Sequence, residues 1–385
     1  MRVLVTTTGS AGHFGPLIPF VDALEAAGDE VLIATRESTA DSIRAAGYDV
    51  WPFADAAADE RGAIFGSVRD LSNDEANVRV VSEVFGRLDT RAALPRVLEA
   101  CESWQPHVVL SEVCEFSGGL AGAHLGLPVA TVGIGLALLE QIVMGPTLAA
   151  LREVRDELGL EAAPAPGAAY FTLTPPALED PAAPSPADAR RFRALDDPAP
   201  AALPDWWSGS DAPLVYVTFG TAAPQMEFFP GLYRAAIDAL APLPVRLLVT
   251  IGRDRDPAEL GPLPPNVHVE RWVPQADVMP HAAAMVCHGG SGSVRAGLAA
   301  GVPMVVLPLF ADQPYNARRV AELGTGVSLE QGPAGIAGAA AAVRAVLADT
   351  VYAERAAAVA ADVRALPTVD AAVEILRDLA AVQRA

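Results

Sequence analysis

The sequence predicts an α/β protein made of two successive doubly wound parallel sheets. Strand-like runs alternate with helical patterns, which implies βαβ units and parallel strands. The alternation stops in a proline- and alanine-rich stretch, 162–213, and then starts again. With 385 residues, 51% hydrophobic and 19% charged, the chain is long for one domain and has material for two cores.

In the first half the β-rich run 2–7 leads into Thr8-Gly9-Ser10-Ala11-Gly12-His13-Phe14-Gly15-Pro16. An amphipathic helix follows to about Ala27, with Pro16 suited to its first turn and Gly28 to its C-terminal cap. Further strands are predicted at 30–34, 49–53, 107–110 and 129–133, and helices at 37–46, 90–103 and 118–125. Segments 54–87 and 136–159 interrupt the alternation and read as loop-and-helix insertions at the carboxyl edge of the sheet. The 162–213 stretch, with its PAPG, TPP and AAPSPAD runs, reads as a mostly extended connector. In the second half strands are predicted at 214–219, 246–251, 267–269, 285–286 and 304–307, with a helix at 230–240. The alanine-rich tail from Ile336 is helical apart from Pro367, and its last segment is free to reach back to the first half. The division is therefore 1–205, 206–368 and a C-terminal helix, 369–385.

A net charge of −20 argues against nucleic acid or an anionic membrane as a general partner, because both need a basic face. All 27 basic residues are arginine, so P-loop lysine, Schiff-base and pyridoxal-phosphate chemistry are excluded. Cys101, Cys114 and Cys287 lack CxxC spacing and read as reduced thiols. No apolar run reaches the ~18–20 residues of a membrane span, and the first residues enter a strand pattern without a signal peptide's apolar core. A cytoplasmic monomer or homodimer is the expectation.

The densest motif runs from Arg271 to Val320. His288-Gly289-Gly290-Ser291-Gly292-Ser293 lies between an apolar run and a helical segment, 294–300. Glycines let backbone approach a phosphate closely, and the following helix supplies N–H donors and the positive end of its dipole. Asp312-Gln313 follows another strand, at the carboxyl end where open α/β sheets bind ligands. Trp272 has a ring face suited to a nucleobase. Around Ser291 the hydrolase elbow G-x-S-x-G fails at Ser293. Asp254-Arg255-Asp256 has DxD spacing but no third metal ligand nearby in sequence. At the first βα turn Gly9, Gly12 and Gly15 lack the GxGxxG of a dinucleotide fold, which argues against a nicotinamide enzyme. His13 in that turn is a candidate general base, since imidazole takes protons near neutral pH. Such a base needs an orienting acid; Glu112 and Glu115, in SEVCEF after the 107–110 strand, both qualify.

Taken with its spacing, the central stretch resembles the nucleotide-sugar signature of family 1 glycosyltransferases, the actinobacterial antibiotic enzymes above all. The matching pieces are Trp272-Val273-Pro274-Gln275, His281, His288 to Ser293, Gly301-Val302-Pro303, Pro308, Asp312-Gln313 and Asn316, extended by Gly12-His13, Pro106 to Glu112 and Tyr216 to Thr221. The resemblance implies a GT-B fold, two Rossmann-like domains facing a cleft, with acceptor on the N-terminal and nucleotide sugar on the C-terminal domain. It implies inverting, metal-independent transfer of a sugar to a hydroxyl of a lipophilic small molecule, with no cofactor. His13 becomes the base; Trp272 and Val273 serve the nucleobase, Gln275 the ribose, and His288 with Gly290, Ser291, Gly292 and Ser293 the diphosphate. Asp312 and Gln313 serve the sugar hydroxyls, and Gly220 and Thr221 line the phosphates. Glu112 stands where the family usually has aspartate. Ala296 replaces a ribose-binding glutamate of the plant members, which leaves UDP and dTDP donors both open. A non-catalytic auxiliary on the same fold is the alternative; it would have lost the base or the phosphate ligand, and His13 and His288 are both present.

Overall fold

The computed structural model of the chain describes residues 1–160, 169–194, 202–207 and 210–382. Among them thirteen strands form two all-parallel sheets. The first contains β1 (Arg2–Thr6), β2 (Glu30–Arg36), β3 (Val50–Phe53), β4 (Val108–Glu112), β5 (Val129–Gly133), β6 (Ala169–Thr172) and β7 (Arg190–Arg191), in the spatial order β3-β2-β1-β4-β5-β6-β7. The second contains β8 (Leu214–Thr218), β9 (Arg246–Thr250), β10 (Val267–Glu270), β11 (Ala282–Cys287), β12 (Met304–Val306) and β13 (Gly326–Ser328), in the order β10-β9-β8-β11-β12-β13. Parallel strands covered by helices on both faces read as continuous apolar runs. The central β4 and β8 accordingly bury every residue.

Two compact units contain these sheets: residues 1–174, 179–195 and 366–385 make one, 175–178 and 196–365 the other. Residues 175–178, inside the span expected to be a continuous first domain, thus belong with the second. There the guanidinium of Arg319 donates to the carbonyls of Leu178 (3.1 Å) and Ala177 (3.0 Å) and holds that short segment.

The 162–213 connector needs correction. Residues 161–168, 195–201 and 208–209 lie outside the described residues, but the remainder supplies β6 and β7 of the first sheet. Phe171 of β6 is fully buried against Phe20 and Phe192. Composition hid a four-residue strand whose single large apolar side chain enters the core. The three-residue β13 was hidden in the same way, ahead of the helical tail.

Segment 54–87 contains helices Ala58–Ser67 and Asn73–Arg79, then a widely wound i→i+5 turn over Val80–Asp89 that runs into helix Thr90–Trp104. Segment 136–159 contains helices Ala137–Ala150 and Arg152–Glu157. Among the described residues no single helix is long and apolar enough to cross a membrane.

Helix Asp370–Val382 belongs to the first unit. Ala372, Val373 and Leu376 are buried in one core with Phe20, Val21 and Leu24, and Arg377 pairs with Asp29 at 3.1 Å. Residues 383–385 of the expected tail helix lie outside the described residues. Leu376 is fully buried, so Leu376→Ala should cost about 2–5 kcal/mol through lost burial and the cavity left behind. Urea unfolding of the variant checks this; a loss below about 1 kcal/mol would mean the helix is dispensable to that core.

Candidate active site

In both sheets the order reverses at the first strand: β1 lies between β2 and β4, and β8 between β9 and β11. Ligands of open α/β sheets bind at such switch points, outside the carboxyl ends of the strands. Each sequence-selected cluster sits at one of them.

In the first unit, His13 occupies a one-turn helix, Ala11–Phe14, just beyond β1. Buried Phe14 anchors the turn, and the Ser10 carbonyl accepts the His13 and Phe14 N–H groups. The imidazole Nδ1 is 2.9 Å from Oε1 of Glu112, the last residue of β4 and fully buried at its side chain. Oε1 also accepts the Thr8 N–H (3.3 Å), and Oε2 accepts the Cys114 N–H (2.6 Å). Burial raises the Glu112 pKa, but the His13 ring and these N–H donors outweigh it, so the carboxyl lies below its usual range. Glu115, the other candidate partner, turns the opposite way and caps helix Phe116–Leu125, accepting the N–H groups of Ser117 (3.0 Å) and Gly118 (2.9 Å). The structure therefore pairs His13 with Glu112. Phe85, from the wide turn at Val80–Asp89, meets the His13 ring edge-on at 5.1 Å. Nothing in the sequence signalled it except its place in an insertion.

In the second unit, Gly220 follows β8 and His288 follows β11. The Cε1–Nε2 edge of the His288 ring lies against the backbone of Gly220 and Gly290: a methyl group on either glycine would come within 2.6 Å and 2.5 Å of the ring. Only glycine fits at both positions, and Gly220 also has φ +73°. Gly290 caps helix Ser291–Ala300, so the positive end of a ten-residue helix starts beside the imidazole. Burial pushes the His288 pKa down to about 4 against a smaller opposing pull from Asp312. The ring is thus neutral at pH 7. Ser291 Oγ donates to Asp312 Oδ2 at 2.7 Å, and Asn316 Nδ2 donates to the same oxygen (2.9 Å) and to the Gly289 carbonyl (2.8 Å). The glycine turn and the polar pair, twenty residues apart in sequence, are one hydrogen-bonded unit.

L-demethylnoviosyl transferase of Streptomyces niveus is 32% identical over 338 residues, covering 86% of this chain and 85% of that one. The chain belongs to the natural-product glycosyltransferases. Elloramycin glycosyltransferase of Streptomyces olivaceus is 31% identical, with 95% and 94% covered. Residues 234–381 match the family described as erythromycin biosynthesis protein CIII-like, C-terminal domain. The solved spinosyn rhamnosyltransferase SpnG superposes with a TM-score of 0.84 at 26% identity, covering 98% of this chain and all of that one. SpnG has also been solved with thymidine diphosphate and with the spinosyn aglycone. The glycosyltransferase therefore has the GT-B fold.

Other expected residues of this glycosyltransferase fall as follows. Trp272 is 46% exposed, and the Arg253 guanidinium covers one ring face 3.8 Å from its centroid. The groove beside them is lined by Arg253, Pro257, Glu270, Arg271 and Trp272. Val273 and Gln275 are half-buried, and the Gln275 amide reaches Ser293 Oγ at 3.4 Å. Thr221 and Gly292 are exposed beside Gly220 and the helix start. Gln313 points inward: it is 2% exposed, and its Oε1 accepts the N–H groups of Leu309 (2.8 Å) and Phe310 (3.1 Å). Its side-chain oxygen thus orders the turn ahead of Asp312. The DxD aspartates have structural partners, since Asp256 caps the turn Pro257–Leu260 and Asp254 accepts from Gln225.

The depressed His288 pKa fixes a pH dependence. Above about pH 6.5 the ring is neutral in the folded and unfolded chain and costs nothing. Between about 6.5 and 4 the unfolded chain binds a proton that the folded site refuses, so stability falls as pH falls, by at most about 3 kcal/mol. Urea midpoints at pH 7 and 5 should therefore drop less in His288→Asn than in the parent. Equal drops would show that the ring is not held neutral.

Proposed function

We propose that this glycosyltransferase moves a sugar from a nucleoside diphosphate to a hydroxyl of a lipophilic small molecule, inverting the anomeric centre and using no metal. The observation that carries the reading is the contact of His13 with buried Glu112 at the switch point of the first sheet. The Glu112 carboxylate orients the ring through Nδ1 and leaves Nε2 to take the acceptor's proton. The acceptor oxygen attacks the anomeric carbon as the bond to the diphosphate breaks on the opposite side. One displacement gives one inversion, and the nucleoside diphosphate leaves with the bonding pair.

Negative charge grows on the leaving diphosphate. The start of helix Ser291–Ala300, the glycine turn and neutral His288 supply donors for it, preorganised and free of a counter-ion. The base would stack on the open face of Trp272, with Val273 beside it and Gln275 toward the ribose. Asp312 would take sugar hydroxyls from its place in the Ser291–Asn316 network, with Gln313 supporting it. We favour a dTDP-sugar: Ala296 offers no acceptor for a ribose hydroxyl, and the similar SpnG takes thymidine diphosphate.

His13→Ala should lower the transfer rate by about 10²–10⁴-fold, while nucleoside diphosphate, titrated calorimetrically, binds as before. Transfer at the parent rate would overturn the base assignment. Separately, EDTA should not lower the rate; a large loss restored by Mg²⁺ would instead make Asp254 and Asp256 metal ligands.

A further inference from the structure

A third donor stands beside the His13–Glu112 pair. A ring nitrogen of His13, a carboxylate oxygen of Glu112 and the sulfur of Cys114 all lie within 4.8 Å of one another. Glu112 and Cys114 share a tight turn closed by the Glu115 N–H on the Glu112 carbonyl (3.0 Å), and the Cys114 N–H holds the Glu112 carboxylate. Thiol and carboxylate are thus fixed in one frame, with His13 entering from the neighbouring loop. Cys114 is half-buried and the His13 side chain 17% exposed, so an ion has a way in. Cys101 and Cys287 are buried, which pushes their thiols up to about 11 and about 12.

We propose that His13, Glu112 and Cys114 form an inhibitory binding site for a borderline-soft divalent cation, zinc in the first instance. A nitrogen, oxygen and sulfur set does not suit Mg²⁺ or Ca²⁺, which take oxygen ligands; it suits Zn²⁺. Tetrahedral zinc bonds of about 2.0–2.3 Å place ligand atoms about 3.3–3.6 Å apart. His13 Nδ1 and Glu112 Oε1 stand 2.9 Å apart, so an opening of about 0.4 Å admits the ion where the shared proton now lies. Rotation of the Cys114 side chain closes the third bond. The thiol proton goes to solvent and the ring proton moves from Nδ1 to Nε2. His13 then carries a hydrogen on the nitrogen that would serve as base, and transfer stops.

The binding half of this inference is independent of the proposed activity; the inhibitory half rests on it. Cobalt(II) added to the full chain should give a saturable one-to-one thiolate-to-cobalt absorption band that Zn²⁺ bleaches. Cys114→Ser and Cys114→Ala should abolish the band, and His13→Gln should weaken cobalt binding at least tenfold. In transfer assays, with each protein referred to its own rate in chelator, half-inhibition of Cys114→Ser should need at least tenfold more zinc than the parent. Absence of the band, or its survival in both Cys114 variants, overturns the site; equal zinc sensitivity overturns the inhibition. A band that follows the variants in a protein transferring no sugar would sustain the metal site and reject the transferase reading alone.

Discussion

In each sheet the first strand has the second on one side and the fourth on the other, so the loops leaving the first and fourth strands run apart. Right-handed crossovers carry the intervening helices to opposite faces and leave a crevice at the carboxyl ends. The side chains that carry the proposed chemistry depend on this crevice. His13 and Glu112 are 99 residues apart in sequence and are brought to hydrogen-bond distance because β1 and β4 are neighbours. Gly220 and His288 meet for the same reason, through β8 and β11.

The protein carries a net charge of −20, yet its predicted ligand is a polyanion. Two local devices address this. The start of helix Ser291–Ala300 would direct peptide dipoles toward the proposed diphosphate, adding positive potential without a formal charge. Buried, neutral His288 would then offer the proposed diphosphate a donor whose desolvation has already been met in folding. In the first unit the opposite arrangement holds: a buried carboxylate is kept ionised by His13 and two backbone N–H groups. Its negative charge would favour the imidazolium formed if the ring takes a proton as proposed.

What was legible in the sequence was local. The glycine turn, its following helix and the polar pair each carry short-range signals, and strand–helix alternation marks the two sheets. The rest depended on side-chain direction or distant packing. Glu112 and Glu115 are three residues apart in one turn; only the course of the chain shows that one faces β1 and the other folds onto the next helix. Phe85 reaches His13 from a helix whose wide winding no residue pattern announces. Arg253 covers Trp272 from a separate loop. Strands β6 and β7 lie in a composition that suggests a linker, and Phe171 reveals its place only through the aromatic cluster it joins.

Asp312 and the glycine turn show how far apparent motifs can merge. Read linearly, Ser291 belongs to a phosphate site and Asp312 to a sugar site. In the fold the serine hydroxyl and the Asn316 amide both donate to one carboxylate oxygen, and Asn316 also holds the Gly289 carbonyl. The backbone ahead of Asp312 is itself constrained, with Ala311 at φ +56° and the preceding residues, Leu309 and Phe310, tied by Gln313. A non-glycine residue in that region persists only where its surroundings over-determine it. The network supplies that determination. The carboxylate is oriented by these bonds alone, so a sugar held there as proposed would cost little side-chain entropy at this position. Each partner acts through the others, and the free-energy effects of changing Ser291, Asp312 and Asn316 should not add.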